Sequence, residues 1–393
     1  MMTTVRIYNR SRDTVSCGGI TFPPHTEVTV KLWRGGTLYR EIRAYKRLVE
    51  ISGTSAAEFS EYVAEDNAKP PAPAMPGETK LGYTFNFCYD FALRKDRFAY
   101  RDVIHKLSAP IMEHLEDAGF VHHPVPGAIN IRFFNQVRIE DLGGDFVDPD
   151  WDVFISHGVA DKDYWQARKI DQFLAVLLAG PAWTERVVEQ GLSRERIYEI
   201  GFLKLDPIFQ GRVTRTPSDR PYILWAPTHK GRPQVSSYPA CLRKIKEMPT
   251  EWEVSVSTHP ANDPKKRATM QALVDADVVI ADSGSTLYEA MALGKPVVFP
   301  DWLTKAGIER IRPHSLEGEI YRKGIGRHAN SMRELIDLCR DALANGQTPE
   351  ERAFIDRCCP PETRGRAGEL AAKALMEIHE RKKEAKAYAV AVS

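Results

Sequence analysis

The segment Val278-Val279-Ile280-Ala281-Asp282-Ser283-Gly284-Ser285-Thr286-Leu287-Tyr288-Glu289-Ala290 restricts the fold more than any other part of the chain. Its first four residues are apolar and read as a buried strand. A small polar turn, Asp282 to Thr286, follows, and the spacing of Leu287, Ala290, Met291 and Leu293 opens a helix. Gly294-Lys295-Pro296 ends that helix and starts the next strand. A strand without a polar face needs cover on both sides, which a parallel sheet layered with helices supplies.

The same unit recurs. Strand-like segments lie at 83–87, 130–134, 153–156 and 197–200, and again at 222–226, 252–257, 278–281 and 296–299. Helical spacing occupies Val103 to Ala118, Gln172 to Leu178 and Trp183 to Gln190. Two such runs predict an α/β chain with a pair of doubly wound, Rossmann-like lobes and a cleft between them. Residues 1–66 differ: Val5 to Tyr8 and Glu27 to Leu32 alternate as half-buried strands do, which predicts a small, mostly β module. The Pro- and Ala-rich stretch 67–79 reads as a semi-rigid linker. The lobes then span 80–205 and 206–375, and 376–393 forms a charged helical tail with Ala371 to Ala389 helical. Mixed signs in that tail mark a solvated helix face.

Bulk properties bound the partners. The 393 residues are 43% hydrophobic and 27% charged with a net charge of +1, so no global field favours nucleic acid or an anionic membrane. The six cysteines are scattered, with no C-x-x-C pair, and fit a reducing compartment. The first residues lack an apolar leader core and no run of about 18 apolar residues occurs. A cytoplasmic protein, peripheral to a membrane at most, is expected.

In open parallel sheets, ligands sit beyond the carboxyl ends of the strands. Four such places carry chemistry. His157 follows the strand at 153–156, and Gly158 leaves room beside it. An imidazole there suits a general base, while a loop histidine with structural hydrogen bonds is the plainer alternative. His259 ends the strand at 252–257, with Pro260 keeping it out of a helix. The Asp282–Thr286 turn exposes backbone N–H groups at a helix start, which fits a diphosphate; Ser and Thr are also good caps without any ligand. Thr228, His229 and Lys230 end the strand at 222–226.

Taken in order, these pieces resemble the CDP-glycerol glycerophosphotransferase family, whose members have a GT-B fold. Its H-G-x-x-x-K motif is matched by His157, Gly158 and Lys162, and its G-x-P-R-x-D turn by Gly201 to Asp206, with Lys204 in the arginine position. Ala226-Pro227-Thr228 matches its A-P-T, His259-Pro260 its H-P, and Asp282-Ser283-Gly284-Ser285 its D-Y-S-S. The resemblance covers about residues 150 to 370. It implies that 80–205 is the acceptor lobe and 206–375 the donor lobe, with His157 as catalytic base. It also implies donor-phosphate contacts from His259, Ser283, Gly284, Ser285, Thr286, Thr228 and Lys204, and further site positions at Gly158, Lys162, Asp206, Asp282 and Glu289. Asp282-Ser283-Gly284 with Glu289-Ala290 also resembles the non-hydrolysing UDP-N-acetylglucosamine 2-epimerases.

The expected function is transfer of a glycerophosphate or sugar from a nucleoside-diphosphate donor to an acceptor hydroxyl, without a metal ion or resident cofactor. The acceptor stays open between a polymer, a lipid-linked molecule and a modified nucleic acid, and residues 1–66 are read as docking onto an assembly partner. A 2-epimerase would turn over a UDP-sugar with no acceptor present, and a non-catalytic binding protein of the same fold would bind without turnover. No G-x-G-x-x-G follows a strand, which argues against a dinucleotide-dependent dehydrogenase.

Overall fold

The computed structural model describes residues 2–9, 15–17, 20–22, 27–33, 48–50, 84–87, 97–122, 129–133, 149–156, 158–161, 170–228, 233–258 and 269–392. The chain divides into two compact units. The smaller holds β1 (Met2–Asn9), β2 (Val15–Cys17), β3 (Ile20–Phe22), β4 (Glu27–Trp33) and β5 (Leu48–Glu50). β1 pairs antiparallel with β4 and β5, and β2 with β3. Val5 and Ile7 are buried while Arg6 between them is half-buried, as the period of two requires. The mostly β character read from residues 1–66 therefore holds for the described strands. The expected linker at 67–79 lies outside the described residues.

The larger unit carries two parallel sheets. The first comprises β6 (Thr84–Phe87), β7 (Val121–His122), β8 (Ile129–Arg132), β9 (Asp152–Ile155), β10 (Ala175–Leu178) and β11 (Ile197–Glu199), in the order β11-β10-β9-β8-β6-β7. The second comprises β12 (Tyr222–Ala226), β13 (Glu253–Val256), β14 (Val278–Ala281), β15 (Val297–Pro300) and β16 (Arg327–Ala329), in the order β13-β12-β14-β15-β16. Every neighbouring pair in both is parallel. Strands β9, β10, β12, β14 and β15 are buried at every position, as the apolar sequences of all but β9, which opens on Asp152, require. In the second sheet the chain order reverses direction between β12 and β14, the topological switch point at which such sheets bind ligands.

On the side of the first sheet lie α1 (Arg97–Asp117), α2 (Pro181–Glu189) and the short α3 (Asp206–Phe209). With the second sheet come α4 (Ala240–Lys244), α5 (Thr269–Asp275), α6 (Ser285–Ala292), α7 (Asp301–Ile311), α8 (Leu316–Lys323), α9 (Met332–Asn345) and α10 (Pro349–Cys358). The last helix, α11 (Ala367–Val392), returns to the first sheet.

Two expectations are corrected here. Gln172 to Leu178 is not helical: Ala175–Leu178 is β10, between β11 and β9 in the first sheet. A short apolar run has no period that separates a buried helix from a buried strand, and sheet position decided it. The boundary at 375/376 also fails, because α11 is continuous across it. Ala371, Ala372, Ala374, Leu375 and Ile378 join Leu107, Ile111 and Leu115 of α1 in the first core, so the start of the tail is structural.

Two features dock α11. The Asp206 carboxylate accepts hydrogen bonds from the N–H groups of Ala367 (3.1 Å) and Gly368 (2.7 Å), capping the helix from far away in sequence. Burial pushes the Asp206 carboxyl up, against those two hydrogen bonds. Gly368 faces α1 so closely that a Cβ there would lie 2.5 Å from the Pro110 carbonyl oxygen. Gly368→Val is expected to pry the helices apart and cost about 1–3 kcal/mol, read from the urea unfolding midpoint. A midpoint equal to wild type would contradict the packing.

Candidate active site

The switch point between β12 and β14 is occupied by the turn singled out in the sequence. Asp282 and Ser283 are fully buried, whereas Gly284, Ser285 and Thr286 are half-exposed where α6 begins. Neighbouring helices are capped by side chains: Ser315 accepts from Gly318 N–H at α8, Ser331 from Glu334 N–H at α9, and Thr348 from Glu351 N–H at α10. α6 starts at Gly284 with no side-chain cap among the described residues. Its first N–H groups, backed by the helix dipole, therefore have no side-chain partner among the described residues. Beside them lies Thr228, 4% exposed, whose hydroxyl has no hydrogen-bond partner among the described residues. A Cβ on Gly284 would sit 3.5 Å from that hydroxyl, so the threonine side chain lies against the helix start.

The turn is held from behind. The Asp282 carboxylate accepts from the N–H groups of Ser283 (2.6 Å), Ser237 (2.8 Å) and Thr228 (2.9 and 3.1 Å to its two oxygens), and from the Ser237 hydroxyl (3.0 Å). Burial pushes the Asp282 carboxyl up while these hydrogen bonds oppose it. The Ser283 hydroxyl donates to the Val235 carbonyl at 2.8 Å. Buried and engaged in this way, Ser283 shapes the turn and does not face the cleft, a correction to its expected role as a phosphate contact. The Tyr321 hydroxyl donates to the Asp282 carbonyl, and the guanidinium of Arg312, itself 1% exposed, reaches the Ser283 carbonyl at 3.4 Å. A positive charge thus lies buried beneath the helix start.

The loop after β9 meets this turn from the first sheet. The Ser156 hydroxyl donates to the Gly158 carbonyl at 2.5 Å. Ala160 N–H donates to the Ser285 hydroxyl at 3.2 Å, and a Cβ on Gly158 would lie 2.8 Å from that same oxygen. A larger residue at 158 would require the Ser285 hydroxyl to move. Next along, Asp161 N–H donates to Glu317 Oε1 (3.0 Å), and Asp161 Oδ2 accepts from Leu316 N–H (2.7 Å) at the start of α8 and pairs with Arg186 Nε (2.8 Å). Asp161 and Glu317 are both fully buried. Their negative charges, after burial itself, push the Tyr288 hydroxyl well up. Trp183 of α2 packs on Tyr288 of α6 at 5.6 Å, completing a polar latch wrapped in aromatic rings.

Of the remaining sequence candidates, Lys204 pairs with Glu289 at 2.6 Å, Glu289 being 3% exposed, and Asp206 caps α11. The pair joins the Gly201–Asp206 turn to α6. His157, Lys162, His229, Lys230 and His259 lie outside the described residues. The sequence reading missed Asp161, Arg186, Arg312 and Glu317. Arg312 and Glu317 lie in ordinary helical patterning, and nothing local to Asp161 points to a partner 156 residues away. Among the described residues no group of three or more His, Cys, Asp or Glu side chains is arranged to hold a metal ion, and no helix is long and apolar enough to cross a membrane.

The sequence matches no family model and no curated protein. Solved structures align with the chain at low identity. The wall teichoic acid polymerase TagF is 13% identical, with a TM-score of 0.47, over 77% of this chain and 90% of the other. The UDP-GlcNAc 2-epimerase from Neisseria meningitidis bound to UDP-GlcNAc is 11% identical, with a TM-score of 0.40, over 73% of this chain and 84% of the other. S. aureus MnaA in its co-structure with UDP is 13% identical, with a TM-score of 0.37, over 68% and 76%.

Proposed function

We propose that the chain is a transferase of the GT-B type that moves a glycerophosphate or sugar from a nucleoside-diphosphate donor to an acceptor hydroxyl. The observation that carries this reading is the meeting of the Gly158–Ala160 loop with Ser285 at the start of α6, which has no side-chain cap among the described residues, beside a Thr228 hydroxyl with no partner among them. A diphosphate seated there would take up the free N–H groups and the Thr228 hydroxyl, over the buried Arg312 charge. In the reaction, His157 takes the proton of the acceptor hydroxyl as its oxygen bonds to the transferred group. The bond from that group to the nucleotide breaks, and the electron pair stays on the leaving phosphate. The α6 N–H groups are fixed before that charge develops, which is what lowers a barrier of this kind. His259 is assigned a further donor contact on the resemblance alone.

Two measurements test the reading. A nucleoside diphosphate at about 100 times its Kd should add about 2.7 kcal/mol of stability, visible as a raised Tm. CDP-, UDP-, GDP- and ADP-linked donors are compared, with Thr228→Val expected to weaken the response. His157→Ala should keep that binding and lose turnover by about 100-fold or more. A chain that no nucleotide stabilises is not this enzyme.

A further inference from the structure

We propose that Arg312 is the buried counter-charge of the donor diphosphate, and that it makes the start of α6 select two linked phosphates over one. This role rests on the transfer reading above and adds where the positive charge comes from. Arg312 is 1% exposed, and its Nε has no hydrogen-bond partner among the described residues. The bond its guanidinium makes among them, to the Ser283 carbonyl, is 3.4 Å long, beyond the roughly 2.7–3.2 Å of an ordinary N–H···O bond. Arg327, the other buried arginine among the described residues, pairs with Asp341 at 2.6 Å and with Glu351 at 3.6 Å. Arg312 has no such carboxylate among them. The Asp282 carboxylate, one residue before Ser283, is taken up instead by three N–H groups and the Ser237 hydroxyl. A buried cation without a counter-ion destabilises the fold, and a bound anion relieves that cost.

The backbone of residue 312 is fixed as well. Its N–H donates to the Ile308 carbonyl at 2.8 Å, and its carbonyl accepts from the Ser315 hydroxyl at 2.9 Å. A charge held in this way is set before the ligand arrives and needs no rearrangement during the reaction. It reaches the carbonyl of Ser283, next in the chain to Gly284, where α6 begins. Arg312 is thus a positioning residue that acts through the turn. The Thr228 hydroxyl, 4% exposed and without a partner among the described residues, lies against the same helix start and offers the anion a donor. The dipole of α6 supplies about half a unit of positive charge, which offsets only part of one ionised phosphate. A diphosphate that joins a nucleoside to a second group carries a negative charge on each phosphate. Dipole and guanidinium together come close to matching both. The rival reading makes Arg312 a brace for the Ser283 carbonyl, and removing a brace costs stability whatever is bound.

The experiment uses the full chain with inorganic pyrophosphate and inorganic phosphate as probes, and reads Tm and calorimetric affinity at fixed pH and ionic strength. Wild type should bind pyrophosphate about tenfold or more tightly than phosphate. Arg312→Met keeps the apolar stem and removes the charge. Without anion its Tm should equal or exceed that of wild type, because the uncompensated cation is gone. Its pyrophosphate affinity should fall about tenfold or more, and its preference over phosphate should shrink with it. Arg312→Lys keeps the charge and should keep most of that preference. An Arg312→Met chain that loses Tm equally with and without pyrophosphate, or is too unstable to fold, shows a brace and overturns the proposal. So does a wild type that binds phosphate as tightly as pyrophosphate, or a lysine variant as impaired as the methionine one. The nucleoside diphosphate that raises the wild-type Tm most is then compared on the same variants. An equal response in wild type and Arg312→Met removes the role of Arg312 while the transfer reading stands. If no nucleotide raises the wild-type Tm, the transfer reading falls, and the pyrophosphate comparison still decides what Arg312 does.

Discussion

Replacing Asp282 with alanine is expected to cost about 3–5 kcal/mol of folding stability and to abolish nucleoside-diphosphate binding. Its two oxygens are the acceptors for the N–H groups of Thr228, Ser237 and Ser283, from three separate segments, and for the Ser237 hydroxyl. All of these groups are buried, and each donor stranded without water costs on the order of 1–3 kcal/mol. Asp282→Asn keeps the shape but turns an amide N–H₂ toward donors that also need an acceptor, so it should recover only part of the loss. Urea unfolding measures the first effect. Calorimetry in the tightest-binding nucleotide, on protein confirmed to be folded, measures the second, because Thr228 and the α6 start are both held by this carboxylate. A folded Asp282→Ala chain within 1 kcal/mol of wild type would show that the turn stands without it.

The second large effect belongs to the latch. Asp161→Ala should lower stability by about 2–4 kcal/mol, since it leaves Arg186, at 17% exposure, without its carboxylate and uncaps Leu316. The functional loss should exceed what stability explains. With the latch open, Ala160 is no longer held on Ser285, and donor affinity should fall tenfold or more in protein that is still folded. Glu317→Gln should be mild, because its side-chain carbonyl can still accept from Asp161 N–H. A double-mutant cycle between Asp161→Ala and Glu317→Ala should give a coupling above about 1 kcal/mol, and simple additivity would break the link between these residues.

The fold class was legible because its signals are local. The strand at 278–281, the polar turn after it and the helix beyond lie within thirteen residues of each other, and each follows from side-chain size and spacing. The outer β module was legible in the same way, from the alternation at Val5 and Ile7. Local reading failed at β10, where the apolar residues from Phe173 to Leu178 suit a buried helix as well as a buried strand. It failed at α11 as well, because Ala371 and Leu375 declare a helix but not the sheet on which it packs.

The site divides along the same line. Sequence alone fixed which residue types stand at the strand ends, and so the presence of a helix start fit for an anion. Tertiary structure decided what each of those residues does. Ser283 turns inward to Val235, Lys204 is neutralised by Glu289, and Asp206 caps α11, although all three sit in motif positions. The cause is physical: hydrogen bonds and ion pairs act over about 3 Å between groups 48 to 162 residues apart in the chain, and only the order of the strands in the sheets brings those groups together.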